Sequence, residues 1–195
     1  SVMGTVVRVL AAGVLAGVMM DSGAANTIAR TIVGKMGDRM AILALALATM
    51  VITAVGVFIP VAVLIVAPIA LEVGERSQIS KLALLVALSG GGKAGNIISP
   101  NANTIAAAKG FGLNLSQVMI ADFIPAVVAL IVTVIVASLI KHRGDAVLPA
   151  DLADNPRIEQ EDLPSLGSSL VTPIIAVVLL LINPIGQLLH VHWMS

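Results

Sequence analysis

Apolar residues in this chain do not alternate with polar ones at the period of an amphipathic helix or a half-buried strand. They run in long blocks separated by short clusters of glycine, proline and charge. The first block covers Val2–Met20 with Arg8 as its one charge, and stops at Asp21-Ser22-Gly23. A second stretch, Ala24–Val33, closes at Gly34-Lys35-Met36-Gly37-Asp38-Arg39, where glycine and charge together mark a helix end at an interface. Met40–Leu71 carries no charge at all. As one straight helix it would be about 48 Å long, against a hydrocarbon core of about 30 Å. Gly56, Pro60 and Pro68 supply places to break. The block therefore predicts a span near 40–57, an interruption near Phe58-Ile59-Pro60, and a further helix to Val73.

Glu72, Gly74, Glu75, Arg76 and Ser77 form a short polar connection. Ile79–Leu88 is apolar but too short to span by itself. It leads into Ser89-Gly90-Gly91-Gly92-Lys93-Ala94-Gly95-Asn96, then Ser99-Pro100-Asn101-Ala102-Asn103-Thr104, then a short helix to Lys109. Phe123–Ile140 predicts a spanning helix with Pro125 in its first turn and Asp122 as its cap. Residues 141–168 are the one long hydrophilic stretch, with Lys141, Arg143 and Arg157 set against the acids from Asp145 to Asp162. Leu170–Leu189 predicts a last span with Asn183-Pro184 inside it. The chain thus divides into a transmembrane unit at 1–140 with interrupted helices near 21–26 and 89–104, a hydrophilic loop at 141–168, and a further transmembrane helix within 169–195. Both termini fall beside apolar sequence, as expected of a truncated portion of a longer protein.

Composition changes the picture in one respect: it names the solvent. Hydrophobic residues make up 58% and charged residues 11%, and mean hydropathy is +1.05. A soluble domain needs roughly a quarter charged residues to cover its surface. Lipid removes that need. Aromatics are 2%, without the girdles and alternating strands of an outer-membrane barrel. The fold class is therefore all-α: a polytopic transmembrane helical bundle with broken or re-entrant helices. The net charge of +0 gives no reason to expect a nucleic-acid partner. Cysteine is absent, which excludes disulfides and thiolate metal sites within the stretch. The basic clusters Arg30, Lys35, Arg39 and Lys141, His142, Arg143 are both expected on the cytoplasmic side.

The segment Ser89–Lys109 carries the chemistry. Three successive glycines disfavour a helix by about 1 kcal/mol each, and Pro100 cannot continue one. Irregular backbone at membrane depth survives only when buried in protein or lining a wet cavity. Transporters use such breaks to point helix ends and free polar groups at a solute. Lys93, Asn96, Ser99, Asn101, Asn103 and Thr104 are the candidate substrate-binding residues there. The alternative is an extramembrane loop. A second interruption at Asp21–Asn26 adds Ser22 and Asn26 as candidates. Ala25-Asn26-Thr27-Ile28-Ala29 recurs as Ala102-Asn103-Thr104-Ile105-Ala106, each copy opening a short helix after a break. Paired interruptions mark binding sites in repeat-built transporters.

Ionisable groups in apolar context are expensive and default to functional hypotheses. Asp21 is the candidate carrier of a coupling proton; its alternative role is to favour a helix dipole. Lys93 is the candidate partner of a substrate carboxylate; its alternative is a snorkelling lysine. Arg8 reads as a snorkelling residue near a chain end. His190 and His192 read as interfacial, without metal-ligand spacing. Gly90-Gly91-Gly92-Lys93 lacks the glycine spacing and the following Ser/Thr of a phosphate loop. No catalytic motif is present, so an enzyme, a cofactor and a metal site are not expected.

At these residues the chain resembles the GntP family of gluconate permeases. The resemblance rests on Gly17-Val18-Met19-Met20-Asp21-Ser22-Gly23-Ala24-Ala25 with Ile28-Ala29 and Gly37-Asp38-Arg39. It continues in the apolar stretch after Met40 with Phe58 and Pro68. It ends with Ser99-Pro100, Ala106-Ala107-Ala108 and Gly110-Phe111-Gly112. It covers roughly residues 4–143 and implies a longer membrane permease that imports sugar acids or other hydroxy-carboxylates with protons. Two departures stand out. Phe58 is followed by Ile59-Pro60-Val61 where gluconate-type members carry an acid. Lys93–Asn101 replaces a His-Ser and proline-rich run. A divergent subfamily follows from them.

The expected function is a secondary active transporter for small organic acids, gluconate-like sugar acids among them, working by proton-coupled symport. The alternatives are a sodium-coupled carboxylate transporter and a non-functional fragment or assembly subunit. The expected partners are a small organic anion and membrane lipid, with a homo-oligomer left open, and the expected location is the cell inner membrane.

Overall fold

The computed structural model describes residues 10, 13–14, 17–153, 163–171, 174–175 and 178, among which there is helix but no strand. The helices are α1 (Ala24–Met36), α2 (Ala41–Ala54), α3 (Ile59–Ser77), α4 (Lys81–Ile97), α5 (Ala102–Gly110), α6 (Leu115–Ala121), α7 (Phe123–Leu139) and α8 (Pro149–Ala153). Residues 17–21 and 166–171 are also helical. The expected last span, Leu170–Leu189, falls largely outside the described residues.

Local chemistry explains the boundaries. Gly56 takes φ 112, which only glycine adopts readily, and Phe58 is extended. Pro60 then sits in the first turn of α3, where its missing N–H costs nothing. Pro68 lies inside α3. α4 begins at Ser80, whose hydroxyl accepts the Ala83 N–H at 3.3 Å. Asp122 does not cap α7 with its side chain. Its N–H donates to Val118 and its carbonyl accepts from Ala126, so it carries the backbone through a 41° bend between α6 and α7.

α4 is the centre of the bundle, with α2, α3 and α7 packed on it and α1 laid against α2. The core is built mostly of small side chains: Ala44, Ala46, Ala48, Ala62, Ala83 and Ala87 are fully buried beside Leu45, Ile52 and Val66. Small residues let helix backbones approach closely, the usual source of packing energy where lipid removes the hydrophobic drive. Across the Ile98–Asn101 gap, Lys81–Gly110 makes a 30-residue run apolar enough to cross a membrane. Two bent pairs pass the same test when joined: Ala24–Met36 with Asp38–Ala54, at 106°, and Leu115–Ala121 with Phe123–Leu139.

The glycine-rich segment differs from its sequence-based expectation. Residues 89–97 are not irregular; they are the last turns of α4, and the interruption shrinks to Ile98–Asn101. The reason is packing. A Cβ on Gly91 would collide with the Ala46 backbone, and one on Gly95 with the Met50 carbonyl and the Thr53 hydroxyl. A Cβ on Gly90 would strike Thr133 of α7. Close approach, together with the cost of exposing unpaired backbone in lipid, outweighs about 1 kcal/mol per glycine of poor helix propensity. Ile79–Leu88, too short to span alone, is the first part of this longer helix.

Charge collects at one end of the bundle. Arg76, in the last turn of α3, donates to Asp38 Oδ1 from Nε at 3.0 Å and Nη2 at 2.6 Å. The Ser80 and Lys81 amides donate to the carbonyls of Lys141 and Asp145, at 2.8 and 2.9 Å. Lys81 Nζ lies 2.7 Å from Asp151 Oδ1, and the Leu148 N–H donates to Asp151 Oδ2 at 2.8 Å. These donors hold the Asp151 carboxyl below the usual carboxylate range, the Lys81 hydrogen bond most and the Leu148 amide next. Val147 is buried beside Gly74 and helps fasten this strap. The two basic clusters, near 35–39 and 141–143, thus share one end.

Candidate functional site

The gap between α4 and α5 is organised by two asparagines and a serine. The Asn96 carbonyl accepts from Ser99 Oγ at 2.8 Å and from Asn101 Nδ2 at 2.5 Å. Asn101 Nδ2 also reaches Ser99 Oγ at 2.7 Å. The other side of the same carboxamide, Asn101 Oδ1, accepts the N–H groups of Asn103 and Thr104 at 2.7 and 3.2 Å and so caps α5. One side chain therefore ties off the end of one helix and starts the next. Pro100, with no N–H to satisfy, separates them.

Burial sorts the members. Ser99 is fully buried, Asn96 is 7% exposed and Thr104 5%. Asn101 is half-buried, while Asn103 and Lys93 are exposed. Ser99 and Asn101 spend their polar atoms inside the network. The Asn96 carboxamide forms no hydrogen bond among the described residues, and neither of its polar atoms is fully enclosed. It is the one buried carboxamide of the gap left with bonding capacity.

Helix register brings the breaks to one level. Gly91 meets Ala46 and Gly95 meets Met50 and Thr53, so α2 and α4 run parallel and end together. A Cβ on Gly92 would lie 3.0 Å from Ile59 Cγ2, so the Val55–Phe58 break adjoins the end of α4. Val55 packs in turn with Met19 and Ile28, which flank the Ser22-Gly23 break. α7 runs antiparallel to α4, with Thr133 opposite Gly90. That register sets the Asp122 bend at about the level of Asn101. Measured along α4, the Ile98–Asn101 gap starts about 25 Å from the charged end.

The first break is built differently. Gly23 takes φ 71, and a Cβ there would press on Leu163 and Pro164 at 3.2 Å. Ser22 Oγ accepts from the Ala24 amide at 3.4 Å, and Thr27 Oγ1 donates to the Pro164 carbonyl at 3.0 Å. Asp21 and Ser22 are exposed and Asn26 is half-buried. Among the described residues no hydrogen bond or ion pair joins Asp21, Ser22 or Asn26 to the Asn96–Thr104 group. The two copies of Ala-Asn-Thr-Ile-Ala do occupy matching places, each opening a helix after a break. Ile28 and Ile105 are both buried, and Asn26 and Asn103 both sit on the more open side.

Thr49 and Thr53 were not singled out by sequence. Both are fully buried. Thr49 donates to the Leu45 carbonyl at 2.8 Å, and Thr53 to the Thr49 and Met50 carbonyls at 2.9 and 3.1 Å. Such back-bonding to the helix often accompanies a bend, and here it precedes the Val55–Phe58 break. Threonines four apart in an uncharged apolar run were the available signal.

Interrupted helices packed through small residues, with the breaks gathered at one level, define a helical integral membrane protein of the broken-helix kind. The family model described as GntP family permease matches residues 1–194. The chain belongs to that family. It is 52% identical over 180 residues to an uncharacterized transporter of Haemophilus influenzae, covering 92% of this chain and 42% of that protein. It is 27% identical to the high-affinity gluconate transporter of Escherichia coli, covering 90% of this chain and 39% of the relative. The gluconate permease of Bacillus subtilis is also 27% identical, over 96% of this chain and 44% of the relative. The chain thus spans about two fifths of the length of these relatives. No solved structure matches it.

Proposed function

We propose that this chain forms part of a secondary active transporter for small organic acids, sugar acids such as gluconate among them. We place it in the cell inner membrane, with the charged end of the bundle facing the cytoplasm. The observation that carries the reading is the Asn96–Ser99–Asn101 gap, an ordered helix break where the ends of α2 and α4 and the start of α3 meet in an apolar bundle. Family membership and the gluconate-transporting relatives support it. In this reading Asn96, Asn103 and Thr104 offer hydrogen bonds to the hydroxyl and carboxylate oxygens of the solute, and Ser99 and Asn101 hold the break open. Lys93 supplies the opposing charge. Ser22 and Asn26 contribute from the matching first break. An anion entering against a negative-inside potential needs co-transported cations, and Asp21 is the proton carrier we propose.

Uptake of labelled gluconate and other hydroxy-carboxylates by the full-length permease in vesicles tests this. Saturable uptake abolished by a protonophore is expected. Uptake indifferent to the proton gradient removes the symport part. Asp21→Asn should impair gradient-driven uptake while sparing counterflow exchange, whereas equal loss of both marks a structural acid. Sodium coupling is the second reading, favoured by the oxygen-rich gap; it alone predicts that replacing sodium with choline stalls uptake.

A further inference from the structure

One face of α4 is left open by its neighbouring helices, with only Leu82 at its start meeting Gly144 of the strap. Leu82, Leu85, Ser89 and Lys93 recur at helical spacing and are all exposed, while α2, α3 and α7 cover the rest of the helix. The face changes character along its length, apolar at Leu82 and Leu85 and then polar at Ser89 and Lys93. Lys93 is the one charged residue between Lys81 and Lys109. It lies about 18 Å along the helix from Lys81, against a hydrocarbon core of about 30 Å. Since Lys81 stands at the charged end, Lys93 falls near the middle of the span, too deep for ordinary snorkelling. It forms no ion pair or hydrogen bond among the described residues.

The outer face of α7 provides the contrast. By the Gly90–Thr133 register, Ile131 is level with Lys93 to within about a turn. Its neighbours on that face, Ile124, Val128, Ile135 and Leu139, are exposed and entirely apolar, as a lipid-facing helix requires. Two helices of one bundle thus present opposite chemistry at one depth. A lysine facing hydrocarbon at that depth is costly, and charged residues within spans face the bundle interior or a water-filled cavity.

We propose that the Ser89–Lys93 face of α4 lines a water-filled, anion-selective pathway closed on its far side by the rest of the permease, with Lys93 as its fixed positive charge. This deepens the transporter reading and rests on it. It places the solute's route along the open face of α4, away from the glycine face sealed against α2.

The test is cysteine labelling of the full-length permease in membranes, in a cysteine-free background, with no need of a substrate. Ser89→Cys and Lys93→Cys are compared with Ile131→Cys at matched depth. A membrane-impermeant thiosulfonate reagent is expected to modify the first two ~10-fold faster or more, since only a wetted thiol ionises and reacts. With Lys93 in place, Ser89→Cys should react faster with an anionic than with a cationic reagent of equal size. Lys93→Gln should remove that preference and Lys93→Arg retain it. Ser89→Cys and Lys93→Cys as inert as Ile131→Cys would overturn the pathway. A reagent preference unchanged by Lys93→Gln would overturn the role of the charge. Because labelling requires no transport, these outcomes stand apart from a failure to move gluconate.

Discussion

Gly91 of α4 rests on the backbone of Ala46 in α2: a methyl group at Gly91 would overlap the Ala46 carbonyl and lie 2.7 Å from its Cα. This contact sets the spacing of the two helices on which the breaks are arranged. Gly91→Ala should therefore destabilise the permease by about 1–3 kcal/mol through overpacking, despite its better helix propensity. Gly34→Ala is the matched control. Gly34 lies in α1 with nothing within 4 Å of an added Cβ, and its replacement should stabilise slightly. Thermal unfolding of both variants in detergent checks this; an equally stable Gly91→Ala would refute the close contact.

Asn101 performs two separable tasks. Asn101→Asp keeps an oxygen to accept the Asn103 and Thr104 amides but loses the Nδ2 donor to Asn96 and Ser99. Asn101→Ala loses both, the cap alone being worth about 1 kcal/mol. Amide hydrogen exchange at Asn103 and Thr104 should stay slow in the Asp variant and quicken in the Ala variant. Equal exchange in the two would show that the cap does not hold α5.

The strap at the charged end should loosen with acid. Asp151 titrates below its ordinary value of 3.8 in the folded protein because Lys81 and the Leu148 amide favour its charged form. A depressed folded value contributes stability that is complete above the unfolded value and lost as pH falls through the folded one. Exchange protection of residues 145–151 should thus exceed that of Asp151→Asn at neutral pH. The difference should begin to shrink at about pH 4 and vanish only in stronger acid, beneath the folded value. Equal protection in the two proteins at neutral pH would assign it to Val147 packing instead.

The Arg76–Asp38 pair should matter little, although both nitrogens reach one carboxylate oxygen. Its side chains are 54% and 48% exposed, and such pairs contribute under about 1 kcal/mol. A double-mutant cycle with Arg76→Gln and Asp38→Asn measures it. A coupling well above that range would mean that the surroundings of this end exclude water.

Much of this architecture was legible along the chain because it is decided locally. The uncharged blocks announce lipid, Gly56 and Pro60 end one helix and begin the next, and Pro100 separates α4 from α5, although Pro68 is accommodated inside α3. The interruption at Ser99–Asn101 and the start of α7 at Phe123 follow from the same rules. Local rules misjudged the glycines at 90–92. Propensity counts what a glycine loses as a helix residue, whereas its gain arises from Ala46, Met50 and Thr133, residues distant in sequence. Asp122 failed as a predicted cap for a related reason: α6 arrives directly before it and holds its backbone near helical geometry.

By itself the sequence determined that this is an all-helical membrane bundle and that helices break near Phe58 and Pro100. Hydropathy, proline and glycine act over a few neighbouring residues, so their consequences can be read in order. The tertiary structure alone decided that three breaks and a bend share one level, that the Asn96 carboxamide at this level stays unpaired, and that Lys93 stands on the open face of α4. Those facts depend on which helix lies beside which, and that is settled by how closely two backbones approach, a property of pairs that no single segment carries.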